Sequence, residues 1–236
     1  MNISVVIPTH NMANTLARAV DSAIAAGASE VVVVNDSSTD DTFKVMRRYV
    51  AGYRVRFIST PLPAGVRAGV CFARNAGIHE ARSNWIVPLD ADDVLLPDGL
   101  NALAAAAATN TLVYGGWLES APRHYPEADT ALMNEVAVSA PPPQRLSHKN
   151  VTHATFLFQK ADWRRVGGYD PQFEAGCEDW ALMCALVSAG VQPVRVNAPI
   201  YRKYVNCEGR GAACAPKAAL LHTLLEQTYP AVFHAI

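Results

Sequence analysis

Short apolar runs rich in β-branched residues recur through the N-terminal half of the chain, at Ser4 to Pro8, Val31 to Val34, Val55 to Ser59 and Trp85 to Leu89, separated by stretches of helical pattern. Runs of this length, bounded by turn residues and apolar on both faces, are strands buried in a parallel sheet. After Pro8, the residues Leu16, Val20 and Ile24 recur at helical spacing and Gly27 follows as a stop. After Val34, Ser38 and Asp41 form a capping-box-like pair that opens a helix through about Val50. Pro61-Leu62-Pro63-Ala64-Gly65 is turn chemistry, and a further helix spans Gly69 to Arg82. This alternation predicts βαβ units, hence an α/β fold with a mainly parallel sheet flanked by helices.

Beyond the fourth run, Pro97 suits the first turn of an Ala-rich helix to about Ala108, and Thr111 to Gly115 reads as another strand. From Trp117 to Asn150 the periodicity fails and prolines gather at 122, 126, 141, 142 and 143, which predicts a long loop or flap. Order returns with Ala154 to Phe158, a short helix from Lys160 and the turn Gly167-Gly168-Tyr169-Asp170. Glu178-Asp179-Trp180 opens an apolar helix to Ala189, followed by extended segments at Pro193 to Asn197 and Ile200 to Tyr204. Leu220, Leu221, Leu224 and Leu225 make one face of a helix from Pro216 to about Tyr229, expected to pack on the body; a homodimer or membrane-surface contact is the second reading. The division expected is a ligand-binding half at 1–115, a second half at 116–210 that includes the 117–150 flap, and a helical tail at 211–236, all within a single domain.

With 236 residues, half of them hydrophobic, the chain can bury a full core. A net charge of −1 and a pI of about 6.6 supply no basic stripe for non-specific nucleic-acid binding. The apolar start, Met1 to Pro8, is too short for a signal segment, and no run approaches the roughly 20 apolar residues of a spanning helix. The five cysteines are odd in number and form no C-x-x-C pair, so structural thiols in a reduced, cytoplasmic compartment are expected. Cys177/Cys184 and Cys207/Cys214 share a spacing, but without clustered histidines it does not read as a metal site.

The most chemically loaded stretch is Leu89-Asp90-Ala91-Asp92-Asp93, three acids at the end of an apolar run. Carboxylates at i and i+2 where a parallel strand becomes a loop stand where open α/β folds place their ligands, and they suit a hard divalent cation with a phosphate-bearing guest. On this segment alone, a solvated helix start capped by Asp93 explains the acids as well. Other polar residues follow other strands: Thr9-His10-Asn11 after the first and Asp36 after the second. In a parallel sheet those ends share one rim, so they converge with Asp90 and Asp92 on one crevice. There is no G-x-G-x-x-G or P-loop pattern, so phosphate charge falls to a cation and to Arg74, aided by Arg67. No G-x-S-x-G elbow or H-E-x-x-H pattern is present, against hydrolase and zinc-protease readings.

Val5-Val6-Ile7-Pro8-Thr9-His10-Asn11, Val33-Val34-Asn35-Asp36-Ser37-Ser38-Thr39-Asp40, Ala73-Arg74-Asn75-Ala76-Gly77-Ile78, Leu89-Asp90-Ala91-Asp92-Asp93, Gly167-Gly168-Tyr169-Asp170 and Glu178-Asp179-Trp180 together resemble, in that order, glycosyltransferase family 2 with the GT-A fold, over residues 3 to about 190. The resemblance implies an inverting enzyme that uses a nucleotide-sugar donor, most often UDP-linked, with Mn²⁺ or Mg²⁺. Carried over residue by residue, it puts Thr9 (with Pro8, His10 and Asn11) at the base, Asp36 at the uracil or ribose, and Arg74 at the diphosphate. Asp90 and Asp92 become the D-x-D element, with Asp92 the direct metal ligand, Asp179 becomes the catalytic base, and Asp90, Ala91, Glu178 and Trp180 come to contact the nucleotide-sugar. A base at a helix start faces a dipole that lowers its pKa, which burial beside Trp180 or the charge of Glu178 offsets.

The chain departs from the family pattern at Asn35, where an aspartate is common, and at Tyr201-Arg202-Lys203-Tyr204, where Tyr-Arg-x-His is frequent; Tyr204 or His153 would have to stand in for that histidine. The rivals are a sugar-phosphate nucleotidyltransferase, which wants a Gly-rich basic loop where Thr9-His10-Asn11-Met12 stands, and a non-catalytic nucleotide- or glycan-binding domain. The acceptor is left open among a glycan, a lipid-linked sugar, a protein and a modified nucleic acid.

Overall fold

The valine runs become the centre of a sheet because both of their faces find helices. The computed structural model describes residues 1–49, 52, 54–120, 135–138, 140, 142–151, 153–204 and 217–233. In chain order its elements begin β1 (Ile3–Thr9), α1 (Leu16–Ala25), β2 (Glu30–Asn35), α2 (Thr42–Met46), β3 (Val55–Ser59), α3 (Val70–Glu80), β4 (Trp85–Pro88), β5 (Val94–Leu95) and α4 (Gly99–Ala105). They continue with β6 (Thr111–Ser120), β7 (Glu135–Val138), β8 (Phe158–Gln159), α5 (Lys160–Arg165), α6 (Glu178–Ser188), β9 (Gln192–Tyr204), α7 (Ala218–Thr228) and α8 (Pro230–Phe233). A five-stranded sheet has the order β3-β2-β1-β4-β8, parallel except for β8.

Alternation along the strands divides the core. Val5, Ile7, Val31 and Val33 pack with Leu16, Ala19 and Val20 of α1, while Val6, Val32 and Val34 pack with Ala73 and Ile78 of α3 and with α6. Gly77 sets how closely α3 lies on the sheet: a Cβ there would stand 2.5 Å from Val6 Cγ1 and 2.8 Å from Val34 Cγ2.

A second sheet, β5-β9-β6-β7, joins the first through a bridge between Val113 and Leu157. Two boundaries differ from the sequence reading here. The strand beginning at Thr111 continues to Ser120, so residues 117–120 and 135–138 of the expected flap are paired strand; Pro122, Pro126 and Pro141 lie outside the described residues. The segments expected at 193–197 and 200–204 are one strand, β9, whose register against β6 slips at Gly116 opposite Pro199. A bulge tolerates the missing proline N–H, which is why the break in pattern is not a break in the strand.

The helix after β2 ends at Met46, with turns through Tyr49, and Val50 lies outside the described residues. Its expected capping box does not form, because Ser38 Oγ accepts the Asn11 N–H at 2.9 Å and Asp40 Oδ1 takes the Thr42 N–H. In the tail, Leu221 and Leu225 pack on the body as expected, whereas Leu220 is exposed. Cys207 and Cys214 lie outside the described residues, and Cys71, Cys177 and Cys184 are thiols. Among the described residues no helix is long and apolar enough to cross a membrane.

Candidate active site

The chain leaves β1 for β2 and β3, then returns to β4 on the other side of β1. Strand order therefore reverses at β1, and the crevice of such a fold opens between the carboxyl ends of the strands flanking that reversal. Thr9-His10-Asn11 and Asp90 to Asp93 occupy those two ends. Asp90, Asp92 and Asp93 each offer a carboxylate oxygen, all within 4.8 Å of one another. Asp93 is buried, and its Oδ1 accepts the Tyr204 N–H at 3.0 Å. Burial, and then the charge of Asp90, push the Asp92 carboxyl up to about 6; burial with the charges of Asp92 and Asp90 carries Asp93 well above the carboxylate range. Three hard oxygen donors, two of them raised by burial and mutual charge, fit a divalent cation.

Arg74 lies behind the acidic loop. It is 1% exposed, Nη2 donates to Asp90 Oδ1 and Nη1 to Glu178 Oε1, both at 2.6 Å, and the guanidinium lies 5.2 Å from the Tyr169 ring centroid. Its fork joins the loop after β4 to the start of α6, and in this geometry it bridges carboxylates instead of presenting an open phosphate ligand. The next residue fixes another segment: Asn75 Nδ2 donates to Tyr169 O, while its Oδ1 accepts from Tyr169 N and Trp163 Nε1. Ala73-Arg74-Asn75-Ala76-Gly77 thus holds the acids, the Gly167-Gly168-Tyr169-Asp170 turn and the sheet from a single helix.

Asp179 is the second residue of α6, which follows Cys177 in a left-handed conformation at φ 64°. Its Oδ1 accepts the Trp180 N–H at 2.8 Å. Burial first, and then the charge of Glu178, outweigh Arg74 and that hydrogen bond and push the Asp179 carboxyl up to about 6.

Asp36 is 3% exposed, and its two oxygens accept the N–H groups of Ala68 and Gly69 at 2.7 and 3.0 Å, with Arg67 Nε 3.6 Å away. It clamps the loop that enters α3. His10 Nδ1 lies 2.6 Å from Asp36 O, and Asn11 Oδ1 accepts from Thr39 and Asp40 N–H groups, so the loops after β1 and β2 are laced together. Pro8 is buried in β1, and the buried Thr9 Oγ1 has no hydrogen-bond partner among the described residues.

Two expected contacts are relocated. Trp180 is buried with Nε1 donating to Leu146 O, and its ring packs against His222 and Phe233, so it anchors the tail helices. Ala91 is buried in the core beside Leu89 and Leu95, because the residue between two rim carboxylates must point inward. Tyr204 is occupied as well: the Arg18 guanidinium sits 4.0 Å over its ring and donates to Asp92 O. His153 lies edge-on to Trp117 and 3.0 Å from Lys203 Nζ.

Sequence reasoning missed Arg18, Lys203 and Glu174, whose carboxylate accepts the Val70 and Cys71 N–H groups at the start of α3. Their partners are far away in sequence, and no local pattern marks them; only the family position of Lys203, beside Tyr204, carried a hint.

Residues 4–158 match the model of the family described as "Glycosyl transferase family 2". Chondroitin synthase of Pasteurella multocida is 39% identical over 101 residues, 42% of this chain and 10% of that protein. Succinoglycan biosynthesis protein ExoO of Rhizobium meliloti is 39% identical over 108 residues, 45% of this chain and 30% of that protein. The chain thus spans less than a third of the length of these curated relatives. Among solved structures, Staphylococcus aureus TarS (residues 1–349) in complex with UDP-GlcNAc superposes with a TM-score of 0.65 at 18% identity, covering 89% of this chain and 60% of that one. Pyrobaculum calidifontis mannosyltransferase PcManGT with GDP-Man and Mn²⁺ gives 0.67 at 20%, covering 93% and 61%. At these identities the likeness establishes the fold, which is GT-A.

Proposed function

The chain belongs to glycosyl transferase family 2 and is a glycosyltransferase, and from that premise we propose that it is a metal-dependent, inverting enzyme that transfers a sugar from a UDP-sugar to an acceptor hydroxyl, with Asp179 as general base. The observation that carries this reading is the Asp90–Arg74–Glu178 bridge, which ties a cation-competent acid loop to the start of α6, where the next residue, Asp179, has its carboxyl pushed up to about 6, a value that suits proton abstraction. The fold neighbours support it: TarS has been solved with UDP and with UDP-GlcNAc, and PcManGT with GDP-Man and Mn²⁺.

In this reading Asp92 and Asp90 hold the cation, and Asp93 is fixed by Tyr204 beneath them. A divalent cation held there supplies electrostatic stabilisation as charge grows on the leaving diphosphate. Asp179 Oδ1 is engaged by the Trp180 N–H, and Oδ2 takes the acceptor proton. The acceptor oxygen then bonds to the anomeric carbon from the opposite face as the bond to the diphosphate breaks, so the configuration inverts. Thr9 lines the base pocket, and Asp36 serves it indirectly, by fixing the 67–69 loop. Residues 1–115 carry the donor and residues 116–210 the acceptor.

A panel of UDP-, GDP- and dTDP-sugars, scored by nucleotide release with Mn²⁺, tests the donor. Release confined to UDP-sugars and abolished by a chelator is expected; release from GDP-sugars alone overturns the base assignment, and release that survives the chelator overturns metal dependence.

A further inference from the structure

The basic side chains around the acidic rim divide by what they already hold. Arg74 is buried with both fork ends on carboxylates, Arg67 lies against Asp36, and Arg18 is spent on Asp92 O and the Tyr204 ring. Lys203 differs. It is the penultimate residue of β9, next to Tyr204, whose N–H binds Asp93, and β9 pairs with β5 directly after the acidic loop. Its charge is felt by both Asp92 and Asp93, so the ammonium belongs to the rim. Yet it forms no ion pair within 4.0 Å among the described residues, and its hydrogen-bond partner is His153 Nε2 at 3.0 Å. That imidazole is itself held edge-on against Trp117, with ring centroids 4.9 Å apart. Burial, and then the charge of Lys203, hold His153 down at about 4, so at neutral pH it is an uncharged acceptor.

A cation beside two rim carboxylates that is instead tethered to a neutral ring keeps two N–H donors for another anion. We propose that Lys203 binds the diphosphate of the nucleotide-sugar donor, and that His153, braced by Trp117, is the positioning residue that holds the ammonium off the acids so that it can do so. This places on β9 the phosphate contact that the sequence points to at Arg74. It rests on the proposal that a nucleotide diphosphate binds this crevice.

The test is calorimetric titration of the full chain with uridine, UMP and UDP, with Mn²⁺ and with chelator, for the wild type, Lys203→Gln, Lys203→Arg and His153→Phe. Loss of a hydrogen bond to a charged group predicts about tenfold or greater weakening of UDP by Lys203→Gln, with or without Mn²⁺. Uridine binding is unchanged, UMP lies between, and Lys203→Arg restores part of the loss. His153→Phe shows the same UDP-selective loss at smaller size. If Lys203→Gln binds UDP like the wild type, or loses uridine and UDP equally, the assignment is overturned. If the wild type binds neither UDP nor GDP with Mn²⁺, the underlying reading fails along with it, a result distinct from a wild type that binds UDP and a variant that does so equally well.

Discussion

Replacing Arg74 with methionine keeps much of the side-chain volume and removes the charge from the centre of the bridge. The two carboxylates it leaves behind are not equivalent. The Glu178 side chain is 4% exposed, so losing its arginine partner carries the penalty of breaking a buried pair, about 3–5 kcal/mol. Asp90 is 38% exposed, and solvent screening reduces its share to about 0–1 kcal/mol. The loss is therefore that of Glu178, and at roughly 2–4 °C per kcal/mol for a chain of this size it lowers Tm by about 10 °C. The pH dependence identifies the cause. Without Arg74, Glu178 has a folded pKa raised above its unfolded value, so the penalty is fully present above that raised value and fades as pH falls toward the unfolded one, ~4.3. Urea denaturation of Arg74→Met should show a larger deficit at pH 8 than at pH 5, and Arg74→Met/Glu178→Gln should regain more than half of it. A deficit under about 1 kcal/mol, or one equal at both pH values with no recovery in the double variant, would refute the bridge as the link between the acidic loop and α6.

Other consequences are as direct. Asp179→Asn should lower sugar transfer by at least about a hundredfold while UDP affinity, measured by calorimetry, stays within about twofold. As the proposed base, Asp179 has to act deprotonated, and with its pKa pushed up to about 6, kcat/KM should fall roughly tenfold per pH unit below that value; Glu178→Gln removes the like charge and should move the limb to lower pH, and an upward move would contradict the assignment. Asp92→Ala should abolish the gain in UDP affinity that Mn²⁺ confers, read by titration with and without the ion. Gly77→Ala drives a methyl into Val6 and Val34 and should cost about 1–3 kcal/mol in chemical denaturation, with no change in donor specificity.

The parallel sheet and its rim were legible because they rest on local patterns. Val31 to Val34 can be nothing but a strand buried on both faces, and an acid pair after such a strand stands at its carboxyl end wherever the chain goes next. The second sheet was not legible, for reasons that also lie in particular residues. Gly115 and Gly116 interrupt the apolar run of β6, and Pro199 interrupts β9, yet the two strands pair across those breaks through a shifted register that only the partner strand reveals. The prolines that argued for a structureless flap from 117 onward say nothing about the pairing of 117–120 with 135–138.

Motifs identify which residues matter more readily than what they touch. Arg74 and Asp36 were expected on the ligand because they stand on the rim, but a side chain that meets a ligand must first be held in place, and both spend their hydrogen bonds on holding: Arg74 on Asp90 and Glu178, Asp36 on Ala68 and Gly69. The reason is desolvation. A guanidinium 1% exposed and a carboxylate 3% exposed cannot stay unpaired while the donor is away, so groups this deeply buried become scaffold. A charge kept for a ligand must instead be part-exposed and tethered by something neutral, and Lys203 on His153 meets that condition. Its tether comes from 50 residues upstream, a separation that no local motif spans.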